Sequence, residues 1–312
     1  MSRDPAPGAD GLPQARVWPG LALATAGAVA FSAKAIVVKL AYRHDVDAVT
    51  LIMYRMLFAL PLFAALAWWA GRGKPPLTRR DLKVVAGLGF SGYYLASFLD
   101  FAGLQYISAG LERLILYLNP TLVLVFSVLL FGHRVRPAQL LALAVSYAGV
   151  LLVLGHELAF TGTATLTGAL LVFGSAVSYA VYLVYSGREV RRIGALRLAG
   201  WATGVACLLC LLQFALLRPL QAAWVAPEVL WLSLLNAVLC TFAPVLMVMM
   251  AIERIGATLT AQTGMIGPLS TIALGVIILG EPFNGWIVAG TALVLLGIGL
   301  LAGLPSSTSS KA

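Results

Sequence analysis

The chain has 312 residues, of which 61% are hydrophobic and only 11% charged, whereas a soluble domain holds roughly 45–50% apolar and about 25% charged residues. So few charges cannot build a water-facing surface of this size. That excludes a soluble enzyme, a nucleic-acid-binding protein and a disordered chain, and the formal charge of +9 becomes a signal of membrane topology.

The first 16 residues, MSRDPAPGADGLPQAR, mix Pro, Gly and charge without the apolar core of a signal peptide, and read as a disordered cytoplasmic tail. From Val17 onward, apolar runs alternate with short polar breaks. They place spans at 18–40, 48–70, 82–104, 109–131, 136–155, 166–187, 195–217, 228–251, 257–279 and 285–304, with a second tail at 305–312. Each run has the roughly 20 residues that an α-helix needs to cross a bilayer. Stretches such as LALAVSYAGVLLVL are apolar on every face, which suits helices and not the alternating strands of a barrel. The fold class is therefore all-α, a polytopic membrane protein with ten transmembrane helices and the lipid bilayer as its solvent.

Sidedness follows from the basic residues. With the N-terminus inside, the inner segments collect Arg3, Arg16, Arg72, Lys74, Arg79, Arg80, Lys83, Arg134, Arg136, Arg188, Arg191, Arg192, Arg197, Arg254 and Lys311, against Arg43 and Arg218 outside. This asymmetry predicts that both the N- and C-termini are cytoplasmic.

The chain is written twice. An offset of 148 pairs Ile107 with Ile255, Ala109 with Ala257, Pro120 with Pro268, Gly132 with Gly280 and Gly149 with Gly297, and sets His133 against Glu281; Ser32 and Ser178 align at 146. The copies are 17–155 and 156–304, five spans each, and an odd number turns the second copy upside down. Inverted repeats are the architecture of secondary transporters, with the substrate at the repeat interface near the midplane. Duplication also builds channels, which differ in showing flux without saturation or counterflow.

The segments NPTLVLVFSVLLFGHRVRPAQLLALAVSYAGVLLVL and GPLSTIALGVIILGEPFNGWIVAGTALVLLGIGLL resemble the two domains of the EamA family in the drug/metabolite transporter superfamily. DAVTLIMYRMLFA, with Asp47 and Arg55, is similar to that family's second helix, and Lys39 occupies its usual lysine near the end of the first. His133 departs from the usual Glu, whereas Glu281 fits. The resemblance implies ten helices as five plus five inverted, with both ends cytoplasmic. Within the family the chain looks most like bacterial amino-acid exporters of the YddG type, which implies export of amino acids, including aromatic or other neutral ones.

Ionisable groups inside spans are functional candidates by default. Lys34, among small residues, is placed either to meet a substrate carboxylate or to snorkel outward, and Lys39 to snorkel. Arg55 suits a structural ion pair. Asp100, Glu112 and Arg113 flank a short outer turn where Asp100 and Arg113 can pair as a gate or a structural contact, with Glu112 close to the surface. For an organic substrate the candidates are Tyr93, Tyr94 and Phe98 on span three, Tyr117 and Asn119 on span four, Ser178, Tyr179 and Tyr182 on span six, Asn236 on span eight and Gln262 on span nine. Tyrosine hydroxyls facing lipid would lack partners, so a wet cavity lined by spans one, three, four, six, eight and nine accounts for them. Pro120 and Pro268 each disturb the carbonyl four residues back, those of Leu116 and Gly264, and are hinge candidates.

No metal or cofactor is implied: Cys207 and Cys210 sit among Leu and Val, and His44, His133 and His156 form no cluster. A Walker phosphate loop and an H-E-x-x-H are both absent, and GFSG at 89–92 misses the nucleophile-elbow spacing. The expectation is thus a non-enzymatic carrier for small molecules, with oligomeric state open.

Overall fold

The computed structural model describes residues 14–131, 137–264 and 266–302. Every described element is helical. Among the described residues, eight helices are long and apolar enough to cross a membrane: α1 Trp18–Tyr42, α2 Ala48–Gly71, α3 Arg79–Gly103, α4 Ala109–Leu130, α5 Pro137–Ala159, α6 Thr163–Gly187, α7 Ala195–Leu217 and α8 Pro227–Val248. Two shorter apolar helices, α9 Ile266–Leu279 and α10 Gly285–Leu300, complete the ten. In hydrocarbon the backbone must satisfy its own polar groups, and a continuous helix does so for every residue but those at its ends. The ends have local solutions. Asp47 accepts from the backbone N–H of Val49 at 2.9 Å and of Thr50 at 3.2 Å, and Thr78 and Asp81 form a reciprocal capping box.

Two expected boundaries shift. Helix begins at Gln14, inside the segment 1–16 read as a tail, because Gln, Ala and Arg are good helix formers. The break expected at 252–256 is also helical, within Ala243–Gly264. Along α1, Gly20 faces Ile255 and Gly27 faces Met247, whereas Ser32 bonds the Gly267 carbonyl. The chain therefore descends along α1 and has returned by Gly267.

The packing carries the repeat. α1 lies against α8 and α9 of the other half, while its counterpart α6 lies against α3 and α4; α2 pairs with α7 and α5 with α10. At the α5–α10 crossing a Cβ on Gly149 would stand 2.6 Å from the Gly290 carbonyl, so the backbones touch only because both are glycine. Spans three and eight each contain a π-helical turn, at Gly89–Leu95 and Val238–Phe242. These fall together at the repeat offset although their sequences share nothing obvious. Arg72, Lys74, Arg79, Arg80 and Arg192 gather at one end of the bundle, hereafter the basic end, while Arg43 and Arg218 lie at the other.

Candidate functional site

The ionisable residues of spans one, three and four meet in the interior. Lys34 Nζ stands 2.5 Å from Asp100 Oδ2 and 3.1 Å from Glu112 Oε1, and all three side chains are buried. Arg113 does not pair with Asp100 as expected: its Nε donates to Thr271 Oγ1 at 3.0 Å and an Nη to the Phe31 carbonyl at 3.2 Å, with Glu112 4.0 Å away. Lys34 fills the space between the two acids, and Arg113 reaches across to α9 and α1. Glu112, expected near the surface, is fully buried, because α1 and α9 cover that turn of α4. Arg55 makes no described ion pair; its Nε donates to Thr241 Oγ1 at 3.1 Å and its guanidinium lies 5.0 Å from the Phe101 ring.

Below this cluster, toward the basic end, lies a cavity of about 510 Å³. Its closed end carries Phe31, Ser32, Arg113 and Tyr117, its wall Tyr93, Tyr179 and Tyr182, and its mouth Val190 and Ala195. Tyr93 and Tyr182 share a hydrogen bond of 3.1 Å between hydroxyls, and Tyr179 stacks on Tyr182 at 5.5 Å. Gly92, in the π-turn of α3, makes this possible: a Cβ there would lie 2.3 Å from the Tyr182 ring. The lining draws on spans one, three, four, six, eight and nine as expected, and also on span seven.

On the far side of the cluster is a second recess of about 830 Å³, whose lining includes Lys39, Gln105, Glu157, Glu281 and Asn284. Here two carboxylates cap α4. Glu281 accepts from the backbone N–H of Ala109 at 2.8 Å and of Gly110 at 3.4 Å, and Glu157 accepts from the Ser108 hydroxyl and N–H. Negative charge at a helix N-terminus is favourable, so the glutamate after the second repeat's proline helix fastens the two halves at this end. Lys39 does not snorkel. It donates to the Leu104 and Ile107 carbonyls at 3.4 and 2.6 Å, tying down the α3–α4 turn.

With this geometry in view, comparison with known proteins is decisive at the family level. The EamA-like transporter family matches the chain twice, at residues 18–155 and 166–303. The chain belongs to the EamA-like transporter family. It is 32% identical over 264 residues to the uncharacterized transporter YcbK of Bacillus subtilis, covering 82% of this chain and 83% of that one. It is 31% identical over 143 residues to the aromatic amino acid exporter YddG of Ancylobacter novellus, a match spanning 44% of this chain and 50% of YddG. A solved crystal structure superposes with a TM-score of 0.60 at 20% identity, covering 90% of this chain and 96% of the other, a likeness of fold alone. As an EamA-family protein the chain is a multi-pass membrane transporter of small solutes, built as two inverted five-helix repeats.

Within this EamA fold the candidate residues divide by location. Tyr93, Arg113, Tyr117, Tyr179 and Tyr182 line the cavity, whereas Lys34, Asp100 and Glu112 close it from behind. Tyr94 and Phe98 pack in the apolar core against α2. Ser178 donates to the Ser91 carbonyl at 2.8 Å, joining α6 to the π-turn of α3. Asn236 is buried, and its carbonyl accepts from Thr241 at 2.9 Å. The Gln262 side chain and His133 lie outside the described residues.

Both disturbed carbonyls have partners: Asn119 Nδ2 donates to Leu116 O at 2.7 Å beside Pro120, and the Tyr117 hydroxyl to Gly264 O at 2.8 Å beside Pro268. The sequence reading left out Phe31, Ser32 and Ser186 as lining residues. Ser32 had a signal, its alignment with Ser178; an exposed-looking Phe and a lone Ser in apolar helices have none.

Proposed function

We propose that this protein is a secondary carrier that exports amino acids, aromatic or other neutral ones among them, across the bacterial inner membrane by alternating access. The basic end is then cytoplasmic, with both termini on that side, and the conformation described is open inward. One observation carries the reading: the cavity lies between the repeats, opens toward the basic end and is shut at the other by the Lys34–Asp100–Glu112 cluster and the Arg113–Thr271 bond. The tyrosine wall fits an aromatic or apolar side chain. Partial similarity to an aromatic amino acid exporter supports the same substrate class. Asp100, Glu112 and Arg113 act as the outer gate, and the proline positions of α4 and α9 as the hinges beside it.

The test is uptake and counterflow in proteoliposomes across a panel of amino acids, with and without a pH gradient. A carrier gives saturable uptake and counterflow of aromatic amino acids, and Tyr179→Ala weakens apparent affinity. Flux that neither saturates nor supports counterflow makes the protein a channel. Absence of flux for every amino acid removes the substrate class.

A further inference from the structure

The charge facing the cavity is one-sided. Among the described residues that line it, Arg113 is the single charged side chain, and no Asp or Glu takes part. Its Nε and one terminal nitrogen are used by Thr271 and Phe31. The other terminal nitrogen makes no hydrogen bond among the described residues. The acids behind it belong to another cation: Lys34 lies 2.5 and 3.1 Å from Asp100 and Glu112, while Glu112 is 4.0 Å from Arg113. Arg55, buried near the same acids, is held by Thr241 and the Phe101 ring. Among the described residues, three buried cations (Lys34, Arg55 and Arg113) thus face two buried acids (Asp100 and Glu112), one positive charge in excess.

A buried charge is costly until something pairs with it, and the open position beside Arg113 is the cavity itself. A guanidinium fork matches a carboxylate in plane and spacing, which a point-like ammonium does not. Around the fork stand Phe31, Tyr117 and, further down, the Tyr93–Tyr182 pair, surfaces for an apolar body. A solute's ammonium group meets no acid among the described lining residues.

We infer that the cavity selects its solute by a carboxylate seated on Arg113 with an apolar or aryl body among the tyrosines, and that the solute's amino group is dispensable. This rests on the transport reading above and narrows it: aryl and alkyl carboxylates are solutes alongside amino acids, and organic amines are not.

The experiment uses four matched compounds: phenylalanine, 3-phenylpropionate, phenethylamine and phenylalanine amide. Each is measured twice, as the rise in melting temperature of the purified protein and as inhibition and counterflow in proteoliposomes. Phenylalanine and 3-phenylpropionate are expected to act alike, and the two amines to act about tenfold to a hundredfold more weakly, the loss that follows removal of a charge-assisted hydrogen bond. Arg113→Lys is expected to shrink that preference and Arg113→Gln to remove it. The ligand-free melting temperature of Arg113→Lys reports whether the fold survives. Amines as effective as acids, an acid preference that persists in both variants, or no response to any of the four compounds overturns the inference. Stabilisation by the acids without flux leaves the carboxylate seat standing and overturns the transport reading; equal flux of amines and acids does the reverse.

Discussion

The two repeats share two backbone devices and not their charges, although the second adds a π-turn at Gly275–Leu279 where the first is plain α-helix. Each has a π-turn in its third span and a proline in its fourth. Yet the counterparts of Lys34, Asp100, Glu112 and Arg113 in the second repeat are Ala180, Val248, Thr260 and Ala261, none of them ionisable. An inverted scaffold with identical halves would favour neither end. Here the end away from the basic loops is fastened by buried charge, while Val248 and Thr260 line the open cavity at the mirrored depth. In the carrier proposed above, symmetry would supply the two states and asymmetric side chains choose between them.

The largest effect comes from breaking that asymmetry. Lys34→Met leaves Asp100 and Glu112 buried without their shared cation, which costs about 3–5 kcal/mol for a buried pair that loses one partner. A sharp fall in melting temperature is expected. Lys34→Met combined with Asp100→Leu removes one charge of each sign and recovers much of that loss, but it no longer holds the far end shut. A cysteine at Ile107 then becomes more reactive to a membrane-impermeant maleimide. A Lys34→Met protein that melts like the parent would mean that the cluster fastens nothing.

The next contrast is at the proline positions, where Asn119 and Gly267 are counterparts. In the first repeat Asn119 satisfies the Leu116 carbonyl from its own helix. In the second, Gly267 has no side chain to do so, and the Gly264 carbonyl takes its bond from Tyr117 of the other repeat. Gly267 is also what admits Tyr117, since a Cβ there would stand 2.4 Å from its hydroxyl. Gly267→Ala is therefore expected to cost about 1–3 kcal/mol by overpacking and to weaken substrate affinity by displacing a cavity wall. Equal affinity in transport assays would place Tyr117 outside the substrate's reach.

The hydroxyl alone is a smaller matter. Tyr117→Phe removes one hydrogen bond, worth about 1 kcal/mol, but that bond crosses between repeats beside the cavity. Transport kinetics should change along with stability. Asn119→Ala removes a bond of similar strength within one helix and should lower the melting temperature with the kinetics intact. If the two variants behave alike, the local and crossing bonds are mechanically equivalent.

These contrasts mark what a linear sequence can carry. Apolar runs and the 148 offset were enough for ten helices and their inversion, because lipid forces each span into a helix whatever its neighbours. Tyr179 and Tyr182 were legible as cavity residues by their hydroxyls, but Tyr185, the next tyrosine at the same three-residue spacing, is exposed. A three-residue step drifts about 60° around the helix, so a stripe of three cannot stay on one face. Pairing was illegible. Whether Asp100 meets Arg113 or Lys34 depends on how α1 crosses the α3–α4 hairpin, a contact 66 residues apart in sequence. The π-turns were equally hidden, since they come from packing and not from any residue pattern that the two copies share.

A last contrast, of similar size, lies where the repeats begin their second spans. α2 starts at Asp47, whose side chain takes N–H bonds from Val49 and Thr50 and an ion pair with Arg218 at 3.1 Å, whereas α7 starts at Gly194 with no side-chain cap. Partial burial alone would raise the Asp47 carboxyl, but the bonds from Thr50 and Val49 and the charge of Arg218 hold it below its ordinary range. Its stabilisation is therefore full at neutral pH and disappears as pH falls through that lowered value. Asp47→Ala should cost about 1 kcal/mol as a lost N-cap, and melting curves of parent and variant should converge in acid. A gap that persisted to about pH 2 would assign the loss to packing and not to the carboxylate. α7 would then not be the less firmly started of the two helices.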